Sequence, residues 1–510
     1  MKQCPANENV KACPRPIENR LPNRALPISC SRRSLLSPTP KITELPSPLT
    51  MKILVTAKFL GSDRASEGIC SAKFLYSLLA AGLEVVCLAA AQSVVPEKLR
   101  RHGEWLKSVK LIPVGKPPAQ TAGGPPVPRA PGNWAGRFCR RKLGALIVYG
   151  TGLAPETWAE IRLWKGMLRQ AIARERPDLV FVRGAGAGFE PQMAMAGLGA
   201  AAPWVANYHD PFPLSLYPDP YRRRLFMASA LQERWNARII EAADWVSFPS
   251  ERLLRWMLRG RLAPCRGKGV VIPHIVGELP MASDCKAPAT LVLGPDRFVI
   301  LHAGSLLEPR QPWGLVEAFR RFAAKDAARS GKAELLFVGG INRFHKADPR
   351  WAEAVRTQGV RFVEERVAYG QSLELMRQAA VCVVLEAENA ESPFFPAKLT
   401  DYLLCRKPIL ALSPAESVMS DVLGAGYPYR CLPSDSARIA RILEELWSLW
   451  QDGRLAEATV PLERVSRLSM KAVGESCKAL FTTAVDDWRR KKRILKRGDT
   501  RWCKGLQTSR

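Results

Sequence analysis

Residues 391–412, ESPFFPAKLTDYLLCRKPILAL, place several charged side chains inside a pattern that predicts a short helix followed by a buried strand. Two of them, Lys398 and Asp401, are three residues apart and share a face of the predicted helix. One interpretation is an exposed ion pair, which would add little stability. The other is functional, because this segment follows VCVVLEAE and so lies at the carboxyl ends of the predicted strands, where ligands bind in open α/β sheets.

A second candidate follows the strand-like run FVILHA. Gly304 and Ser305 come directly after this run, and Arg310 lies six residues beyond Gly304. Glycine lets the backbone approach a phosphate closely, and an arginine can return over that phosphate with two parallel hydrogen bonds. A turn that ends in a surface arginine would give the same pattern.

Two further candidates follow strand-like runs in the first half of the chain. His209 and Asp210 come after PWVANY, where they could transfer a proton or hold a sugar hydroxyl. A helix N-cap and a packed histidine would explain the same pair. The loop at 61–68, GSDRASEG, follows the first strand but lacks the dinucleotide-binding pattern GxGxxG. This loop, with Gly68 at its end, is therefore either part of a ligand site or a plain turn between strand and helix.

The elements that must position these residues alternate between strand and helix. The strand-like runs of the first half are KILVTAKF, EVVCLAAA, KLIPV, DLVFVRG, PWVANYHDP, DWVSFPS and GVVIPHIV. A second series begins near Arg297 and contains FVILHAGS, ELLFVGG, VRFVEE, VCVVLEAE and PILAL. Short β-branched runs that alternate with helices predict an α/β protein with two doubly wound parallel sheets. In such sheets, ligands bind outside the carboxyl ends of the strands, where all of these candidates fall.

Composition divides the chain into five predicted regions. They are a disordered leader at 1–50, a first domain at 51–285, a second domain at 286–460, an amphipathic helix within 461–488 and a basic tail at 489–510. Residues 277–295 resemble a linker in composition. The run MKILVTAKF, which starts at Met51, also reads as a natural beginning of a protein.

The whole sequence restricts the partners. Its 510 residues carry 76 Lys and Arg against 47 Asp and Glu, a formal charge of +29 that favours nucleotide phosphates or an anionic membrane surface. The basic run at 489–497, which has no interleaved aromatic residues, and the lack of a recognisable motif argue against nucleic acid. Thirteen cysteines without CxxC spacing argue against a disulfide framework and a structural zinc site, so we expect a reducing cytoplasm.

The motifs resemble the group-1 retaining glycosyltransferases, which have the GT-B fold and move a sugar from a nucleotide-diphosphate donor. In that family a glycine and a later basic residue follow the first strand of the second domain, as Gly304 and Arg310 do here. The family also carries F-P-x-K-L-x-E-Y followed by K-P. The matching residues are Phe395, Pro396, Lys398, Leu399, Asp401, Tyr402, Lys407 and Pro408.

The first domain of that family often has a D-F-R-D-P-W-like strand end. The matching residues here are Asn207, Tyr208, His209, Asp210, Pro211 and Phe212. The resemblance implies GT-B architecture, with two Rossmann-like domains facing each other across a cleft. The first domain would bind the acceptor and the second the nucleotide-sugar donor.

The resemblance also implies roles for individual residues. Arg310 and Lys398 would neutralise the donor diphosphate, and Asp401 would accept ribose hydroxyls in place of the family's glutamate. His209 and Asp210 would orient the acceptor or the sugar. Glu391 lies near the family's earlier acidic residue, although its spacing differs from E-x7-E. Gly304, Ser305 and Gly68 would complete the donor site, and no metal or other cofactor is implied.

We therefore expect a cytoplasmic retaining glycosyltransferase whose acceptor is a glycan, a lipid-linked sugar or a small molecule, as in polysaccharide biosynthesis. Contact with an anionic membrane would be peripheral, on its inner face. A nucleotide-sugar 2-epimerase is an alternative that needs acid/base groups near the strand ends. The candidate histidines are His209, His274, His302 and His345. A catalytically degenerate sugar-nucleotide-binding protein is a third alternative, because of the motif departures.

Overall fold

The structure is a computed structural model of the 510-residue chain. It describes residues 50–62, 66–116, 134–184, 188–199, 201–224, 226–281, 291 and 293–496. For residues 134–142, 226, 495 and 496 only the backbone is described. The predicted leader up to residue 49, most of the predicted linker and the end of the basic tail lie outside the described residues.

The first half of the chain forms a parallel sheet of seven strands with the order β3-β2-β1-β4-β5-β6-β7. Each strand lies within one of the seven runs predicted from the sequence. The strands are β1 Lys52–Thr56, β2 Glu84–Ala90, β3 Lys110–Val114, β4 Leu179–Arg183, β5 Trp204–Asn207, β6 Trp245–Phe248 and β7 Gly269–Val271.

The second half forms a parallel sheet of six strands with the order β10-β9-β8-β11-β13-β15, and a separate pair, β12 and β14. The very short strands β12, β14 and β15 were not predicted, since two residues carry no periodicity. The strands are β8 Phe298–Ala303, β9 Ala333–Val338, β10 Val360–Val363, β11 Val381–Leu385, β12 Glu391–Ser392, β13 Ile409–Leu412, β14 Glu416–Ser417 and β15 Arg430–Cys431.

Helices cover both faces of each sheet. In the first half they are α1 Ser66–Ala80, α2 Pro96–Arg100, α3 Trp134–Thr151, α4 Pro155–Glu175, α5 Glu190–Ala196, α6 Phe226–Ala242 and α7 Glu251–Met257. In the second half they are α8 Trp313–Ala323, α9 Ala327–Lys332, α10 Arg343–Ala347, α11 Arg350–Ala354, α12 Tyr369–Gln378, α13 Ala397–Leu404, α14 Val418–Leu423, α15 Ser436–Gln451, α16 Leu462–Val465 and α17 Met470–Lys496.

Both sheets confirm the predicted doubly wound fold. In each, the strand order reverses beside the first strand, between β1 and β4 and between β8 and β11. Such a reversal leaves a crevice at the carboxyl ends of the strands, because the connections on either side of it leave in opposite directions. The loops after β8 and β11 therefore lie where a ligand site is expected.

The last helix packs against the first domain. Val473, Cys477 and Phe481 of α17 lie in the same buried cluster as β1, β2 and α1. The chain leaves the first domain near Val276 and returns to it near Leu468. These two crossings lie side by side, because the backbone N–H of Val276 donates to the carbonyl of Leu468 at 2.8 Å. The predicted helix within 461–488 begins only at Met470 and continues to Lys496, so residues 489–496 are helical rather than a tail.

Within the described residues, no helix is both long and apolar enough to cross a membrane. The cysteines in the same part of the chain form no disulfide. They are Cys70, Cys87, Cys265, Cys382, Cys405, Cys431 and Cys477.

Candidate active site between the two domains

A cavity of about 490 Å³ lies between the two domains. The first domain contributes the start of α1 and the loops after β5 and β7, and the second contributes the loops after β8 and β9 and the start of α13. This volume falls within the roughly 300–1,000 Å³ typical of small-molecule sites. Seven of the nine residues predicted for the site line the cavity. They are His209, Asp210, Gly304, Ser305, Arg310, Lys398 and Asp401.

Arg310 enters the cavity from the loop after β8. Its Nε donates to the hydroxyl of Tyr221, a first-domain residue, at 3.1 Å. Burial opposes the charge of Arg310, but Tyr221, Glu386 and Asp210 outweigh that effect and raise the pKa of the guanidinium. Arg310 is thus a fixed cation that contacts both domains.

The same loop is shaped by close backbone packing. The N–H of Gly304 donates to the carbonyl of Val338 at 2.8 Å, so it is already engaged. A Cβ on Gly339, whose φ is +140°, would lie 2.5 Å from the carbonyl oxygen of Gly304. The glycines at these two positions therefore let the loops after β8 and β9 pack closely together where they line the cavity.

Lys398 lies in the first turn of α13, and its Nζ donates to Ser372 Oγ at 3.2 Å. Loss of solvation lowers the pKa of Lys398, although Asp401 partly counteracts this. Because the side chain is withdrawn from bulk water, its charge would interact strongly with an anionic ligand. The exposed Lys398–Asp401 ion pair considered from the sequence is not found.

Asp401 instead makes a buried link between the domains. Its Oδ1 accepts from Lys73 Nζ of α1 at 2.8 Å and from the Tyr369 hydroxyl at 3.0 Å. The side chains of Lys73 and Asp401 are 3% and 7% exposed. A ribose hydroxyl bound to Asp401, as predicted, would have to share or displace these two partners. Lys73 belongs to the other domain, so the sequence pattern of the second domain does not indicate it.

His209 and Asp210 follow β5 and are half-buried at the cavity. The ring of His209 lies against that of His274, with centroids 4.5 Å apart. Burial, together with His274 and Arg183, holds the pKa of His209 well below its usual range, so the ring is neutral. Burial raises the pKa of Asp210 to about 6, against the opposing effect of Arg310.

The other two histidines considered for acid/base chemistry differ in position. His302 lines the cavity, and its Nδ1 lies 3.2 Å from the carbonyl of Val383. His345 is buried away from the cavity lining, with Nε2 at 2.9 Å from the carbonyl of Leu307. His345 therefore has a structural role in holding the loop after β8.

Glu391, which was predicted at the donor, does not line the cavity. It accepts from Arg252 of α7 at 3.2 Å, and the same guanidinium bonds Glu416 at 2.8 Å and Asp421 at 2.6 Å. Three second-domain carboxylates thus converge on one first-domain arginine. The sequence could not reveal this, because Arg252 is 139 residues away.

Gly68 also lies beside the cavity lining rather than in it. A Cβ at this position would be 2.2 Å from the carbonyl oxygen of Ser62. The glycine lets the preceding loop fold tightly onto the start of α1, so Gly68 positions Ser66 and Glu67, which do line the cavity. Gly68 thus has a packing role here, and its predicted donor contact stays a prediction.

Sequence reasoning missed several polar groups at the site, of which Glu386 is the most unusual. It follows β11 and is 2% exposed, and within the described residues neither carboxylate oxygen has a well-formed hydrogen bond. Burial raises its pKa to about 7, although Arg310 and Ser392 oppose the shift. The rule that ligands bind at the carboxyl ends of strands could have found it. The other missed residues are Glu67, Lys73, Tyr221, Arg366 and Tyr369.

Comparison with known proteins adds an independent finding. Residues 121–276 match the model of Glycosyltransferase Family 4. A comparison with curated proteins by sequence found no match.

Solved structures resemble the chain over both domains. Sucrose-phosphate synthase from Thermosynechococcus elongatus superposes with a TM-score of 0.55 at 17% identity, covering 85% of this chain and 98% of that one. An α,α-trehalose-phosphate synthase (UDP-forming) from Burkholderia vietnamiensis gives 0.55 at 15% identity, covering 86% and 100%. HepE from Anabaena, solved in complex with UDP and glucose, gives 0.51 at 13% identity, covering 85% and 100%.

These similarities confirm the predicted architecture, two Rossmann-like domains around a cleft. The chain therefore has the GT-B fold, and residues 121–276 of its first domain are similar to Glycosyltransferase Family 4.

Proposed function

We propose that the protein transfers a sugar from a nucleotide-diphosphate donor to an acceptor, with retention of anomeric configuration and without a metal ion. The observation that carries this is the convergence of Arg310 and Lys398 on one cavity between the domains. The solved structure of HepE contains UDP and glucose, which supports a uridine-nucleotide donor for a chain of this fold.

The chemistry requires stabilisation of the leaving group. Breaking the bond between sugar and phosphate leaves negative charge on the diphosphate, while the sugar gains oxocarbenium character. Arg310 and Lys398 would bind the diphosphate with charge-assisted hydrogen bonds in a cleft that is largely screened from water. Because Tyr221 holds Arg310 in place, little reorganisation is needed at the moment of transfer.

The acceptor side would be formed by the first domain. In same-face attack, an oxygen of the donor phosphate takes the proton of the acceptor hydroxyl, so no protein nucleophile is required. Neutral His209 and the Asp210 carboxyl are placed to orient the acceptor or the sugar by hydrogen bonds. Ser305 and the tight backbone at Gly304 would lie under the phosphates.

We also propose that the acceptor is presented at an anionic membrane surface. Leu143, Leu146 and Tyr149 of α3 are 59%, 67% and 57% exposed, an unusual density of large apolar side chains on one helix. The sequence of α3 also carries four basic residues between positions 137 and 142. Exposed apolar and basic residues on one helix are typical of peripheral attachment to anionic lipids.

A panel of nucleotide sugars tests the donor assignment by thermal shift. A donor present at 100 times its Kd should stabilise the folded protein by about 2.7 kcal/mol. Arg310→Ala and Lys398→Ala should each weaken donor binding by about 10–100-fold, the loss expected for a hydrogen bond to a charged group. Arg320→Ala is the matched control, since Arg320 is exposed on α8 and pairs with Glu317.

Two results would contradict the proposal. Unchanged donor binding in both cavity variants would remove the diphosphate assignment. Incubation with the bound nucleotide sugar and no acceptor should leave its sugar unchanged, so the appearance of an epimer would instead establish a 2-epimerase.

A further inference from the structure

Three side chains that are distant in sequence meet at the first-domain wall of the cavity. Cys70 comes from α1, His209 from the loop after β5 and His274 from the loop after β7. One ligand atom of each, the Cys70 sulfur and a ring nitrogen of either histidine, lies within 4.8 Å of the other two. All three residues line the large cavity.

A separate small cavity of about 20 Å³ is lined by the same three residues. A volume of roughly 10–15 Å³ on this measure is enough for a single water molecule. The space between the ligand atoms therefore has room for one small ion.

The donor set has the chemistry of a soft divalent metal site. A thiolate and two imidazoles are ligands that Zn²⁺ prefers, at about 2.3 Å for sulfur and 2.0–2.1 Å for nitrogen. Tetrahedral coordination at these lengths separates ligand atoms by roughly 3.3–3.6 Å. Because the three atoms lie within 4.8 Å of one another, small side-chain rotations are enough to reach these separations.

A ring nitrogen of His209 has no partner in the protein. Within the described residues, Nε2 of His209 is buried without a hydrogen-bond partner, so its position is unsatisfied in the absence of a ligand. An imidazole nitrogen is the commonest metal ligand in proteins.

Two cations, Lys73 and Arg183, act electrostatically on Cys70 and would repel a metal ion. A cysteine that coordinates a metal binds as the thiolate, whose negative charge offsets this repulsion. Cys70 is therefore the residue on which affinity should depend most.

We propose that Cys70, His209 and His274 bind one divalent ion of the Zn²⁺ class, with the fourth coordination position open to the cavity. On binding, the Cys70 thiol releases one proton to solvent, its sulfur forms a bond to the metal, and each imidazole replaces one metal-bound water. No electron is transferred.

The site has a consequence for the transferase. A metal ion on His209 would occupy the ring that the acceptor or sugar needs, so Zn²⁺ should inhibit by competing at the cleft. This consequence rests on the proposed function, whereas the binding itself does not.

Binding is tested with Zn²⁺ on the full chain, by competition with a chromogenic chelator, and with Co²⁺ by absorption spectroscopy. The wild type should bind one ion that Cys70→Ser does not bind. The variant should lose more than about 100-fold in affinity at that site, because substitutions of residues that only hydrogen-bond to metal ligands already cost up to about 100-fold. The Co²⁺ complex should show thiolate-to-metal charge transfer, which Cys70→Ser abolishes.

Cys265→Ser is the matched control, since Cys265 is also half-buried in the first domain but does not line the cavity. His274→Asn provides a second variant with the same expected loss, and the melting temperatures of all variants without metal show whether they fold. Equal Zn²⁺ stoichiometry in wild type and Cys70→Ser, or a Co²⁺ spectrum without charge transfer, would overturn the site. Binding without inhibition would overturn only the competition with substrates.

Discussion

At the residue scale, Glu386 combines deep burial with a carboxyl group that lacks a well-formed hydrogen bond in the described structure. Its pKa is raised to about 7 from an ordinary value of 4.5, so the folded state favours the neutral acid. The stability that Glu386 contributes is fully present below pH 4.5 and is lost as pH rises through about 7.

Glu386→Gln should remove this loss, because glutamine stays neutral at every pH. The difference in free energy of unfolding between the variant and the wild type should shift in favour of the variant by a few kcal/mol between pH 4.5 and pH 8. Urea unfolding at both pH values measures it. Glu388→Gln is the control, since Glu388 is exposed and bonded to Ser434. A pH-independent difference for Glu386→Gln would show that Glu386 ionises normally.

At the scale of elements, the contact between α1 and α13 depends on the buried pair Lys73 and Asp401. Lys73→Met should destabilise the protein by about 3–5 kcal/mol, because it leaves an uncompensated charge on Asp401. The double variant Lys73→Met/Asp401→Leu should recover most of this loss, since no buried charge then remains.

Urea unfolding of the four proteins in this cycle measures the coupling. The exposed pair Lys346 and Glu364, 2.7 Å apart, is the comparison, and Lys346→Met should cost no more than about 1 kcal/mol. Additive effects of Lys73→Met and Asp401→Leu would mean that the two side chains are independently solvated, contrary to the structure.

The helix α3 carries the test of membrane attachment. Leu143→Ser/Leu146→Ser should reduce sedimentation with vesicles rich in phosphatidylglycerol by about tenfold or more, because two exposed leucines lose their apolar contact with lipid. Leu432→Ser is the control, since Leu432 is 40% exposed in the second domain. Equal sedimentation of the α3 variant and the wild type would place the attachment elsewhere.

At the scale of the whole molecule, the sequence is sufficient to predict the two sheets. Long β-branched runs define their own strands, and the rule that ligands bind at the carboxyl ends of strands then brings Arg310, Lys398 and His209 to one cleft. Local pattern carries this information because each sheet is built from consecutive segments of chain.

The remaining features depend on contacts across the cleft, which a single sequence does not encode locally. Asp401 was predicted at the donor, but its environment is set by Lys73, 328 residues away. The pairing of Glu391 with Arg252 and the meeting of Cys70, His209 and His274 arise in the same way. The expectation of no structural zinc site was based on cysteine spacing, which carries no information about residues contributed by three separate elements, and it stays a prediction.

The return of α17 to the first domain means that this domain is built from two separate stretches of chain, with the second domain inserted between them. The two crossings lie side by side at Val276 and Leu468. A chimaera that exchanges second domains between relatives must therefore be spliced at both crossings. A single splice after Val276 would discard Val473, Cys477 and Phe481 and leave the apolar face of α1 uncovered. Recombination can thus replace the second domain as one unit while the first domain keeps its own last helix.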